Sequence, residues 1–196
     1  MSVIAADAQR VLDFWFGAPG TASHGQMHAA WFRRSTSFDA TIARRFAVLV
    51  ESALGGGLRD WTQQPASALA RIVLLDQFSR NIFRDTARAF AGDALALAAA
   101  REMVAARQDE ALPPLQRAFV YMPFEHAEDL GAQDEGLQLS GRLAASASEA
   151  AGFLDYAQRH RAIVARFGRF PHRNALLGRP STPDEIEFLK QPGSRF

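Results

Sequence analysis

The stretch Tyr121–Leu130, YMPFEHAEDL, places Glu125, His126, Glu128 and Asp129 directly after an aromatic and apolar run. Charge set among apolar neighbours must find partners once it is buried, because stripping water from a lone ion costs far more than burying hydrocarbon returns. The basic partners lie in two other stretches, Arg80–Arg84 and Arg159–Arg179. The expectation is an all-α fold of antiparallel helical hairpins, built where the acidic and basic stretches meet.

The totals narrow the classes. A chain of 196 residues with 48% hydrophobic and 22% charged content fits one helical domain over 1–196 with a real core. A net charge of +1 provides no global field for nucleic acid or an anionic membrane, so neither is an expected partner. The chain has no cysteine, which removes disulfides, thiol nucleophiles and zinc sites with sulfur ligands, and accords with a cytoplasmic location. Lys190 is the only lysine and sits near a polar C-terminus, which argues against Schiff-base chemistry. The N-terminal MSVIAADAQR lacks the apolar core of about 7–15 residues that a signal peptide needs. No apolar run approaches the roughly 20 residues of a membrane span. The longest candidate, Ala94–Ala106, is interrupted by Arg101 and Glu102.

Helical spacing recurs along the chain, and no stretch alternates with period two. Asp7–Phe16 carries Val11, Leu12, Trp15 and Phe16 in phase before Gly17 and Pro19. His24–Arg34 reads as a weaker helix, and Ser37–Leu54 as a longer one that ends at Gly55-Gly56-Gly57. Pro65 opens a helix to Phe83, and Thr86–Arg107 is helical with a break at Gly92-Asp93. Leu115–Tyr121 should end or kink at Pro123, which then stands at the first position of a new helix. Gln133–Ala147, Gly152–Gly168 and a short Pro171–Leu177 follow. Thr182-Pro183-Asp184-Glu185 is a capping-box signature for a last helix.

Three stretches hold candidate site residues. In Leu74–Arg84, LLDQFSRNIFR, the residues Gln77, Arg80, Asn81 and Arg84 fall on one helical stripe whose donors suit a carboxylate or phosphate. Asp76 and Arg80 are four apart and can pair within the helix, a small effect if exposed. In the opening stretch, Glu125, Glu128 and Asp129 share a face if a helix starts at Pro123. Glu125 would then lie in its first turn, where the helix dipole favours an acid. With His126 they could act as acid and base. Metal binding is not expected: Glu-x-x-His occurs nowhere, and His24 and His28 have no third ligand in sight. No cofactor is implied either. The third stretch, Arg159–Arg179, has six arginines, His160, His172 and no acid, whereas Glu125–Glu135 has five acids and no Lys or Arg. The two blocks should meet each other, which makes single-stranded nucleic acid the weaker use of the Arg and Phe interleaving. A helix starting at Pro171 would surround its positive end with His172, Arg173 and Asn174, an anion seat.

Together LLDQFSRNIFR, YMPFEHAEDL and FGRFPHRNALLGR resemble the bacterial family catalogued as domain of unknown function 924, from VLDFWFG at Val11–Gly17 to STPDEIEFL at Ser181–Leu189. The resemblance implies a helical fold similar to tetratricopeptide-repeat proteins, a right-handed superhelix, and supplies no activity. Ser79 stands where the family has proline and Asp85 where it has glycine. The first departure weakens the case for a kink after Phe78.

Three functions compete. The first is a binding module for a small anionic molecule or peptide carboxylate, gripped by Gln77, Arg80, Asn81, Arg84, Arg173 and Asn174. The second is a hydrolase- or lyase-type enzyme that uses Glu125, His126, Glu128 or Asp129 with His160 or His172. The third is a purely structural polar network, which demands that every buried polar group be satisfied. An open polar cleft with at least two histidines favours the enzyme, a long groove floored by arginine and asparagine favours binding, and no cleft near Glu128 favours the structural network. The sequence leaves the oligomeric state open.

Overall fold

In the computed structural model, which describes residues 4–195, the apolar periodicity becomes a stack of helices, and no strand occurs among the described residues. The first three residues of MSVIAADAQR and Phe196 lie outside the described residues. The helices are α1 (Ala6–Phe16), α2 (Thr36–Leu54), α3 (Pro65–Ile72), α4 (Ser79–Ile82), α5 (Asp93–Ala105), α6 (Pro114–His126), α7 (Leu130–Ser146), α8 (Ala151–Phe167) and α9 (Pro183–Phe188). Helix α1 packs on α3, α2 on α4, and α5, α6 and α7 each on the next in chain order. The connection from α6 to α7 is too short for two packed helices to do anything but reverse direction. No helix among the described residues is long and apolar enough to cross a membrane.

The core runs from Ala8 to Phe153 and is dominated by rings. Trp15 meets Phe78 and Phe119 edge-on, at centroid distances of 5.4 and 5.8 Å. Ile163, Val164 and Phe170 form a smaller cluster, against which Phe167 and Phe188 pack.

Between α3 and α4 the backbone stays helical but widens into a π-turn, Val73–Phe78. The Ser79 N–H reaches back five residues to the Leu74 carbonyl, and its hydroxyl donates to the same oxygen at 3.1 Å. A proline at position 79 would lack that N–H, so serine here lets the helix continue without a break. The widened turn meets Gly92 so closely that a Cβ there would lie 2.2 Å from the Leu75 carbonyl oxygen. Asp85 has φ +62°, the left-handed conformation that a glycine would adopt at less cost.

Three expectations about helices need correction. Residues 24–34 form turns and one short 3₁₀ helix, Ala29–Trp31, because the hydrophobic residues there are too few to bury a full helical face. Pro171–Leu177 is a 3₁₀ turn, Pro171–Arg173, followed by further turns. It is too short to offer an anion seat from aligned dipoles. Pro123 neither ends nor starts a helix; it lies inside α6. An interior proline costs about 3 kcal/mol. Phe119, Val120, Tyr121 and Phe124 are all buried on either side of it, and their packing offsets that cost.

Candidate functional site

Because α6 runs through Pro123, Glu125 and His126 occupy its last turn rather than a first turn, and Glu128 and Asp129 lie beyond it. The chain leaves the helix at Ala127 in an extended conformation. Gln133 of α7 fixes this exit by donating to the carbonyls of Glu125 at 2.5 Å and Ala127 at 2.8 Å. The expected shared face of Glu125, Glu128 and Asp129 therefore does not form, and the three acids go separate ways.

Glu128 accepts two hydrogen bonds from Arg179 and one from the Phe170 N–H at 2.8 Å. Asp129 caps α7 through the Ala132 N–H. Glu125 turns inward and is 2% exposed. Its Oε1 has no hydrogen-bond partner among the described residues. Burial, and after it the charge of Asp76, pushes its carboxyl well above the usual carboxylate range, which favours the neutral form.

His126 donates from Nδ1 to Asp76 Oδ1 at 2.7 Å. Asp76 is fully buried and lies on the π-turn. Burial alone would raise its pKa. The charge of Arg80, with hydrogen bonds from His126 and from Gln77 at 2.6 Å, more than offsets that and holds it well below the ordinary range. The Asp76–Arg80 pair, expected within the helix and small in effect if exposed, forms at 3.0 Å with its carboxylate buried. Arg80 also meets Asp93 at 2.9 Å, and Arg173 meets the same carboxylate at 3.0 Å. Arg173 lies between the Phe90 and Phe170 rings, 4.6 and 4.5 Å from their centroids, and donates to the His126 carbonyl. Burial and then the Arg80 charge push His126 below its ordinary value, while the Asp76 carboxylate pulls the other way.

Gln77, Arg80, Glu125, His126 and Arg173 line a cleft of about 790 Å³. His160 lies 5.7 Å from the His126 ring and donates from Nδ1 to the Tyr156 carbonyl. Burial, then the neighbouring His126, lowers its pKa to about 3. His172 is lowered to about 4 by burial and then by Arg173. One wall is apolar and aromatic, with Trp31, Phe32, Phe153 and Tyr156; Phe32 stacks on Tyr156 at 5.6 Å. Phe90, Met122 and Leu176 close other sides.

The cleft brings together Gln77, Arg80, Asn81 and Arg84 with Glu125, His126, His160, His172 and Arg173. Asn81 and Arg84 are both bound to Asp39 of α2. Glu128, Asp129 and Asn174 do not line it. Asn174 donates to Ser181 and Glu185 and accepts from Arg179, behind the floor. Sequence reasoning missed Asp39, Asp76 and Asp93 as the groups that hold the floor, and the aromatic wall altogether. Asp76 carried a readable signal, since LLDQF sets an acid inside an apolar run just as MPFEH does. Among the described residues, no group of three or more His, Cys, Asp or Glu side chains is placed to hold a metal ion.

Fold and cleft together define an all-helical protein whose central pocket is lined by arginine, histidine and aromatic side chains. The chain belongs to the family described as bacterial protein of unknown function (DUF924), whose profile matches residues 11–193. It is similar to a solved structure, the protein of unknown function ATU0120 from Agrobacterium tumefaciens. The two share 38% identity over 96% of this chain and 99% of that one, with a TM-score of 0.83. No curated protein matches the chain significantly.

Proposed function

We propose that the cleft binds a small organic anion that carries an apolar or aromatic body. The supporting observation is its make-up. A cavity of about 790 Å³ lies within the range of about 300–1,000 Å³ typical of small-molecule sites, with aromatic walls and a few converging polar groups. The charge balance points the same way. Arg80, Arg84 and Arg173 are partnered by Asp39, Asp76 and Asp93, but Arg33 and Arg195 also line the cleft and have no carboxylate partner among the described residues. A ligand carboxylate or phosphate would complete them. We also treat the described chain as one helical domain of stacked hairpins of the tetratricopeptide kind, which accords with the core running from Ala8 to Phe153.

Thermal denaturation with a panel of small carboxylates, phosphates and short peptides tests the reading. A true ligand at a hundredfold excess over its Kd raises Tm by about 5–10 °C. If aliphatic and aromatic carboxylates, phosphates and peptides all leave Tm unchanged, the proposal fails.

A further inference from the structure

Resting on that binding reading, we infer that the cleft is also catalytic: His126, oriented by Asp76, removes a proton from a carbon atom of the bound anion, and Glu125 supplies a proton to an adjacent oxygen. The substrate class is a small 2-oxo carboxylate with an apolar or aromatic side chain.

Geometry carries the assignment. Asp76 is fully buried, and its contact with His126 Nδ1 at 2.7 Å fixes which ring nitrogen bears the hydrogen. The lone pair then lies on Nε2, which has no hydrogen-bond partner among the described residues, on a side chain that lines the cleft. That arrangement is a base held in one tautomer by a carboxylate. Gln77 and Arg80 hold Asp76 in turn, so the orienting group is itself oriented. Glu125, the adjacent residue on the last turn of α6, lines the same cleft, and its Oε1 has no hydrogen-bond partner among the described residues. A carboxylic acid kept neutral by an apolar site can donate a hydrogen bond to a carbonyl oxygen as charge develops there.

The groups around the pair come from every neighbouring element. Asp76 and Arg80 approach from the π-turn and α4, Asp93 from α5 and Ser140 from α7. His160 approaches from α8, and His172 and Arg173 from the turn after it. Among the described residues, the cleft lining contains no serine, threonine, cysteine or lysine. Covalent attack by those side chains is therefore not on offer, whereas proton transfer needs only the base and acid present.

The step balances without an oxidant or reductant. His126 Nε2 takes the proton from carbon 3 of the 2-oxo carboxylate. The C–H electron pair becomes the C2=C3 double bond, and the carbonyl π pair moves to oxygen, which takes the proton of the Glu125 carboxyl. The product is the enol, with His126 cationic and Glu125 ionised. Reversal restores both groups and the keto acid. In D₂O the proton on His126 exchanges with solvent, so the returning keto acid carries deuterium at carbon 3.

The test follows loss of the carbon-3 proton signal by NMR, with 2-oxobutanoate and phenylpyruvate as probes, beside thermal shifts with the same compounds. The whole protein should accelerate exchange over buffer. His126→Asn, whose amide can still donate to Asp76 but which lacks Nε2, should lower the acceleration roughly 100-fold or more while keeping the thermal shift. Glu125→Gln should keep binding and slow exchange by a smaller factor. A thermal shift with exchange no faster than buffer overturns the catalytic assignment and leaves the binding reading intact. So does exchange that survives His126→Asn unchanged. If neither probe shifts Tm nor exchanges, this assignment falls for 2-oxo carboxylates, and the wider anion panel then decides the binding reading separately.

Discussion

Two regions of the molecule use the same residue types to opposite ends. At one, Glu128 accepts from Arg179 and the Phe170 N–H, and Arg179 passes on to Asn174. Asn174 reaches Glu185, which also binds Arg169 and the Thr182 N–H. Acids and bases are matched, both Glu128 oxygens are occupied, and the segment after α8 is tied to the end of α6. At the cleft floor, Asp76 is equally well served, but Glu125 has an orphan oxygen, and His126, His160 and His172 all lie below their ordinary pKa. Where donors suffice, burial of charge yields a lock. Where burial is not matched by opposite charge, it favours the neutral form of each group.

Breaking the lock should have the largest effect on stability. Glu128→Ala removes the Arg179 partner and the acceptor for Phe170. The pair is 22–26% exposed, so the cost should be about 2 kcal/mol, below the 3–5 of a fully buried pair. That corresponds to a Tm lowered by about 4–8 °C. An unchanged melting curve would show that the segment after α8 is held by its phenylalanines alone.

The pH dependence sharpens the contrast. His160 and His172 have folded pKa values of about 3 and 4 against an ordinary 6.5. Between these values the unfolded chain binds protons that the native state refuses, so stability from this pair is whole above 6.5 and is lost as pH falls toward 4 and 3. Glu125 acts with the opposite sign. Its folded pKa is raised, so the unfolded state ionises first and stability declines as pH rises above its ordinary 4.5. Denaturant titrations across this range should therefore show a rising acid limb, and His172→Asn should flatten it.

The smallest effect at low pH, and the most diagnostic, belongs to Glu125→Gln. The amide is the neutral isostere of the protonated acid, so stability near pH 4.5 should hardly change. The variant should then gain on the natural chain as pH rises, because it sheds the cost of keeping Glu125 protonated. A constant difference between the two at every pH would mean that folding leaves the Glu125 pKa where it stands in the unfolded chain.

What could be read from sequence was local. The all-helical class followed from period and breakers, the Thr182–Glu185 capping box forms as read, and the acidic and arginine-rich blocks do meet at Glu128–Arg179 and at Arg161–Asp134. A cap or an apolar stripe involves residues within about one turn, so composition at fixed spacing is enough to specify it. Tertiary structure decided the rest. It carried α6 through Pro123, put Glu125 in a last turn instead of a first, and chose His126 as the partner of Asp76 across 50 residues. Those outcomes depend on which side chains become buried together, and burial is settled only when distant helices pack, since only then does each charge learn whether water or another residue will satisfy it.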